Sequence, residues 1–123
     1  MWKRIAPLLG VCLLLAAPAY SQSSLRQVPI PNSFCSLSGM VTATNLSSCT
    51  VGMAANPPAT YLVICAYTQG VVWRDDTVAP TSTPGVGGQG IVANQCIPYN
   101  GTPSALQFIQ QASGAVLGVS FYR

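Results

Sequence analysis

Four cysteines, Cys35, Cys49, Cys65 and Cys96, punctuate residues 22–123, and they constrain the fold more than any other feature of the chain. An even number of cysteines in a small exported domain reads as a disulfide framework. Zinc is the rival use of four thiolates. Zinc ligands usually arrive in close pairs, whereas these cysteines are 14, 16 and 31 residues apart and the chain has no histidine. Two disulfides and no metal are therefore expected. Of three connectivities, Cys35–Cys49 with Cys65–Cys96 is preferred. The first would close a short loop, and the second would tie the most apolar segment to a later one. Pairing of Cys49 with Cys65 stays open, because a hairpin turning at Asn56-Pro57-Pro58 would set those two nearly opposite. Each bond would stabilise the fold by about 2–4 kcal/mol, mainly by restricting the unfolded chain.

Disulfides require an oxidising compartment, and the N-terminus reads as the route to one. Lys3 and Arg4 precede an uncharged apolar run, Leu8 to Ala17, and the small residues of Ala17-Pro18-Ala19-Tyr20-Ser21 follow. Signal peptidase needs small side chains one and three residues before the cut. Ala17 with Ala19 fits cleavage before Tyr20, and Ala19 with Ser21 fits cleavage before Gln22. The apolar run is too short to cross a hydrocarbon core of roughly 30 Å. Cys12 follows Val11, which is not the small residue that lipid attachment prefers. Residues 1–21 are thus expected to be a signal peptide. Residues 22–123 are expected to form a single exported domain, periplasmic or extracellular, with no stable membrane anchor after cleavage.

Strand signals dominate that domain. Residues 22–33, with Pro29 and Pro31, read as an extended lead-in. Met40–Thr44 and Cys49–Met53 are short strand candidates. Thr60–Tyr67 (TYLVICAY) is the strongest apolar run; its β-branched and aromatic content favours a buried strand. Gln69-Gly70 makes a turn before a strand at Val71–Arg74. Residues 75–90 are rich in Pro, Gly, Thr and Ser and read as a long loop, a contact surface or flap. Ile91–Ala93 and Gln95–Tyr99 follow as short strands, and Asn100-Gly101 reads as a tight turn because both residues tolerate positive φ. Leu106–Gln110 and Ala115–Tyr122 read as a hairpin around Ala112-Ser113-Gly114, although Leu106–Gln111 could instead be a helical turn opened by Ser104. Seven or so short strands with turns between them predict an all-β fold, a small β-sandwich or jelly-roll-like domain.

The charges exclude more than they propose. Beyond residue 21 the only ionic side chains are Arg26, Arg74, Arg123, Asp75 and Asp76, a net charge of +1. That offers no basic patch for nucleic acid. Without histidine, no Ser-His or Cys-His pair is possible, and without a lysine beyond residue 21 no Schiff base is possible. The GVGGQG segment lacks the lysine of a phosphate loop. Adjacent aspartates point to opposite faces of a strand, which places Asp75 and Asp76 poorly as an acid/base pair. The domain therefore reads as a non-enzyme without a cofactor. Trp73-Arg74-Asp75-Asp76 remains as a possible contact site, with indole and guanidinium as anchors. The competing structural reading puts Trp73 in the core and pairs Arg74 with an aspartate. Weak charge repulsion between copies fits self-association or docking on a larger assembly. Phe121 and Tyr122 point the same way, because a strand so near a chain end would tend to fray unless a neighbour held it.

The segments VVWRDDTVAPTSTPGVG and YNGTPSALQFIQQASGAVLGVSFYR, within residues 60–123, resemble small proteins encoded in tailed bacteriophage and prophage genomes. Trp73, Arg74, Asp75, Asp76, Pro80, Thr81, Tyr99, Gly101, Phe108, Ile109 and the Phe121-Tyr122-Arg123 ending carry the likeness. The chain departs from that pattern at Thr77, where the family often has Gly, and in its cysteines and leader. The resemblance implies a small β fold, virion-associated or uncharacterised, that serves as a structural part present in many copies. The expected role is a non-catalytic exported structural, assembly or binding module. A periplasmic or secreted domain binding a small ligand or glycan at the Trp73 cluster is the alternative, and it requires an exposed indole.

N-terminal sequencing of the secreted protein is expected to begin at Tyr20 or Gln22; a mature form beginning at Met1 would contradict the leader.

Overall fold

The TYLVICAY run becomes the strand on which the architecture is hung. A computed structural model describes residues 26–123, so the signal-peptide reading of residues 1–21 lies outside the described residues. Strand β2 (Tyr61–Tyr67) turns Leu62, Ile64 and Ala66 into the core. It pairs antiparallel with β7 (Val116–Tyr122) over its whole length, from Tyr61 opposite Tyr122 to Tyr67 opposite Val116. Strand β7 turns Leu117, Val119 and Phe121 inward. This is the two-residue alternation of a sheet with one buried face.

Strands β1 (Cys35–Ser38) and β5 (Gln95–Tyr99) complete a four-stranded sheet A in the order β1-β7-β2-β5. A second sheet B has the order β4-β3-β6, with β3 at Val71–Arg74, β4 at Gln89–Ile91 and β6 at Gln107–Gln110. All pairings are antiparallel. The core lies between the sheets. Leu62, Ile64, Leu117, Val119 and Phe121 face Val71, Trp73, Ile91 and Phe108, and Met40, Leu46 and Leu106 fill the margins. Each fully buried Leu, Ile or Phe stabilises by about 1.5–3 kcal/mol relative to exposure. Among the described residues the one buried polar residue, Ser33, donates its hydroxyl to the Ile30 carbonyl at 2.7 Å. The fold is thus a small β-sandwich, as the strand count implies.

Both disulfides take the preferred connectivity. Cys65 stands directly opposite Cys96 in the β2–β5 ladder, with Cα atoms 4.0 Å apart. That closeness marks a non-hydrogen-bonded cross-strand pair. Cys35 on β1 reaches Cys49, which precedes the single helical turn α1 (Thr50–Met53). Among the described residues no helix is long and apolar enough to cross a membrane.

Several local expectations are corrected. Cys49–Met53 is a helical turn and not a strand. The Asn45 side chain accepts from the Ser47 amide at 3.0 Å and bends the chain, and Met53 then donates back to the Cys49 carbonyl. Gly52 lies so close to the Phe121 ring that a Cβ there would overlap it. Met40–Thr44 forms no ladder; it skirts the edge of β6 through a single bridge, Thr44 to Phe108, and a bond from Gln110 to the Met40 carbonyl. The strand expected at Ile91–Ala93 runs over Gln89–Ile91, because Asn94 takes a left-handed φ of 62° and turns the chain toward β5. The hairpin expected of Leu106–Gln110 and Ala115–Tyr122 does not form. Strand β6 bonds to β3 and β7 to β1 and β2, so the chain crosses between sheets through Gly114, at φ 90°. The helical turn lies earlier, at Pro103–Ala105. Gly101 is required for a different reason from positive φ: a Cβ there would strike the Tyr99 ring.

The end of β7 needs no neighbouring molecule to hold it. Val28 and Arg123 exchange backbone hydrogen bonds at 2.8 and 3.0 Å, and Ile30 donates to the Phe121 carbonyl at 2.9 Å. The lead-in therefore flanks β7 where β1 leaves off.

The Cys65–Cys96 loop spans 31 residues and the Cys35–Cys49 loop 14. Loop-closure entropy makes the longer link worth roughly 0.7 kcal/mol more than the shorter, which contributes about 3 kcal/mol. Urea unfolding of the paired Cys→Ala variants is expected to place Cys65→Ala/Cys96→Ala below Cys35→Ala/Cys49→Ala. The reverse order would mean that loop closure does not govern the difference.

Candidate functional site

The Trp73–Asp76 segment sits where β3 ends and the long loop begins. Alternation along β3 sends Val71 and Trp73 inward and Val72 outward. Trp73 retains 9% exposure and meets Tyr99 edge-on, with ring centroids 5.8 Å apart. The indole is therefore a core residue that closes one end of the sandwich. Trp73 itself offers no exposed ring face for stacking a sugar, which removes the anchor the glycan alternative placed there.

Arg74 pairs with Asp76 and not with Asp75. Its Nε donates to Asp76 Oδ1 at 3.0 Å, and its terminal nitrogen reaches the other carboxylate oxygen. Asp76 also accepts from the Val78 amide at 3.2 Å. The hydrogen-bonding guanidinium holds the Asp76 carboxyl down at about 2, against partial desolvation that works the other way. The same bond pushes the Arg74 guanidinium up. Thr77, next in sequence, takes a left-handed φ of 65°. Glycine accommodates that conformation most easily, and Thr77 meets it by bonding its hydroxyl to the Asp76 carbonyl at 2.5 Å.

Asp75 points elsewhere. It lines an open hollow of about 440 Å³ together with Trp73, Gln89, Tyr99 and Asn100. Burial, and then the Asp75 charge, push the Tyr99 phenol up; its hydroxyl donates to the Thr102 carbonyl at 3.2 Å. The four residues named from sequence therefore divide into a core indole, an ion pair and one carboxylate facing a hollow. Among the described residues no three His, Cys, Asp or Glu side chains gather as metal ligands would.

The long loop after Asp76 is not a free flap. It folds across the outer face of sheet B. Val72 is fully buried beneath it, and a Cβ at Gly88 would press on Val72 and the Trp73 carbonyl. Thr81 and Gly87, and Gly85 and Gly88, are joined by backbone bonds within it.

The outer face of sheet A is partly exposed: Tyr61, Val63 and Cys65 are half-buried, and Gly118 is buried. Tyr61, Val63, Cys65 and Tyr67 of β2 face outward beside Val116, Gly118, Ser120 and Tyr122 of β7. The rings of Phe34, 63% exposed, and Tyr67, 41% exposed, converge over Gly118. No ionic side chain lies on these four strands' outward positions. Sequence reasoning read TYLVICAY as a buried strand; the structure buries one of its registers fully and leaves the other half-buried, with Tyr67 exposed.

Comparison with protein-family models, curated proteins and solved structures gives no match.

The lowered Asp76 pKa fixes the sign of one pH effect. The pair contributes fully above the ordinary aspartate value of 3.8, and the contribution fades as pH falls toward about 2. Thermal unfolding of the parent is expected to shift downward between pH 4 and pH 2. Asp76→Asn should flatten that acid limb, whereas Asp75→Asn should keep it. An unchanged limb in Asp76→Asn would show that the pair adds nothing to stability.

Proposed function

We propose that the chain is an exported, non-catalytic structural module that packs into a multi-copy assembly. The observation carrying this reading is the segregation of its charges. Strand register relates their positions. Tyr99 and Phe121 both stand opposite Leu62, Trp73 touches Tyr99, and Arg123 bonds to Val28 just beyond Phe121. Arg74, Asp75, Asp76, Arg123 and the nearby Arg26 therefore belong to one end of the sandwich. The other end and the broad faces are built from Ser, Thr, Gln, Asn, Tyr and Val, which present almost no repulsion to another copy.

Export is the setting that two disulfides fit, since thiols are kept reduced in most cytosols. The periplasm and the extracellular medium both satisfy that condition. The likeness of residues 60–123 to small phage and prophage β-proteins supports a structural role in many copies. The glycan alternative is the weaker reading, because the Trp73 indole is buried.

Analytical ultracentrifugation of the oxidised domain over a wide concentration range is expected to show a sedimentation coefficient that rises with concentration. A single monomeric species throughout, with no partner crosslinked in the native compartment, would overturn the assembly role.

A further inference from the structure

We propose that the Cys65–Cys96 disulfide is a thiol–disulfide exchange site, reduced selectively in the folded domain so that edge strand β5 is released. Such a site works in a monomer as well as in an assembly. Exposure of the bond and sparse packing of the strand it ties both point to it.

The two disulfides occupy opposite faces of sheet A. Cys35 shares the inward parity of Leu37 on β1, and Cys49 is 3% exposed, so their bond is packed against the core. On β2 the inward residues are Leu62, Ile64 and Ala66, which leaves Cys65 and its ladder partner Cys96 on the outer face. Cys65 is half-buried, Cys96 is exposed, and neither belongs to the core cluster. The rings of Phe34 and Tyr67 lie over Gly118, the β7 neighbour of Cys65. Beyond β5, sheet A has no further strand among the described residues. The sulfur open to attack is therefore that of Cys96.

A thiolate attacks the disulfide sulfur it can reach, and exposed disulfides are the labile ones. The reductant the step requires is a dithiol of the exported compartment. One of its thiolates bonds to Cys96 Sγ, the S–S bond breaks, and Cys65 Sγ leaves as a thiolate. The reductant's second thiolate then attacks its own sulfur in the mixed disulfide and expels Cys96 Sγ. Two electrons pass to the protein, and the dithiol ends as a disulfide. The two protons it gives up balance those that Cys65 and Cys96 take.

The packing of β5 sets the consequence. Tyr99 is its one buried residue; Gln95, Cys96 and Pro98 are exposed and Ile97 is half-buried. At its start, the Asn94 amide donates to the Ala66 carbonyl at 2.8 Å. With the disulfide open, an edge ladder and one core side chain hold the strand. A segment with so few buried contacts opens at low free energy. The β2–β7 pair keeps its own ladder and its inward side chains in either state. Strand β5 therefore loosens while the sandwich persists.

The test adds dithiothreitol to the oxidised domain, traps free thiols with iodoacetamide and locates them by peptide mapping. Cys65 and Cys96 are expected to be alkylated at least about tenfold faster than Cys35 and Cys49. In urea below the unfolding transition, the Cys65–Cys96 rate should stay flat, because attack occurs on the native state. The Cys35–Cys49 rate should climb with urea, because the core must open first. Hydrogen exchange in the singly reduced domain should be at least about tenfold faster at the β5 amides, with β7 unchanged. Equal rates for the two bonds, earlier reduction of Cys35–Cys49, or a Cys65–Cys96 rate that climbs as steeply with urea would overturn the exchange site. Unchanged β5 exchange, or an equal loss of protection at β7, would overturn the selective release of the strand.

Discussion

The β2–β7 ladder is the interaction on which the rest of the sandwich depends. It joins Tyr61–Tyr67 to Val116–Tyr122, far along the chain, residue for residue. Every other member of sheet A bonds to one of these two strands, and the inward side chains of the pair form one wall of the core. Nothing local can form this wall, because its halves are far apart in sequence; such non-local pairing has to offset a large closure entropy. The disulfides act where that ladder has least help. Cys65–Cys96 fixes edge strand β5 to β2, and Cys35–Cys49 ties edge strand β1 to the turn that packs Gly52 against Phe121. Each edge of sheet A thus has its own covalent tie.

What was legible in the sequence followed from period and from cysteine spacing. The strand class of β2, β3, β5 and β7 was readable because alternation or β-branched content persisted over several residues. The disulfide pairing was readable as a preference, because β5 lies at a distance that lets it return beside β2. The partner of each strand was not readable. Leu106–Gln110 and Ala115–Tyr122 are adjacent in sequence with Gly114 between them, the usual mark of a hairpin, yet they belong to opposite sheets. Both present a strongly apolar face, and two such faces can be buried by facing each other across the core as well as by lying side by side in one sheet. Local pattern does not distinguish these solutions. The Cys49–Met53 turn was hidden for a related reason: its geometry is set by a side-chain bond from Asn45 and by the approach of Phe121, neither of which leaves a periodic signature.

The candidate site was legible in part. The segment from Trp73 to Asp76 stood out because it gathers most of the domain's few charges, and the structure places it at a real corner. Its roles could not be apportioned from sequence. Two consecutive aspartates are equivalent to a reader of sequence, but β3 ends between them and Arg74. The left-handed Thr77 and the Val78 amide then fix Asp76 as the guanidinium's partner and leave Asp75 toward the hollow. Strand parity likewise decides that Trp73 faces inward while Val72 faces the loop.

The two outer faces of the sandwich show how scarcity of charge shapes such a domain. With so few ionic side chains, solubility cannot come from a charged coat, and an uncovered apolar strand would invite edge-to-edge growth. The protein guards against that growth at β5 with Pro98 and a cross-strand disulfide, and at β6 by running Met40–Thr44 along it. It also roofs sheet B with its own loop. Against these precautions, the rings of Phe34 and Tyr67 on the outer face of sheet A stay exposed. Of the four sheet edges, β5 and β6 are thus the ones the chain itself makes poor sites for strand addition.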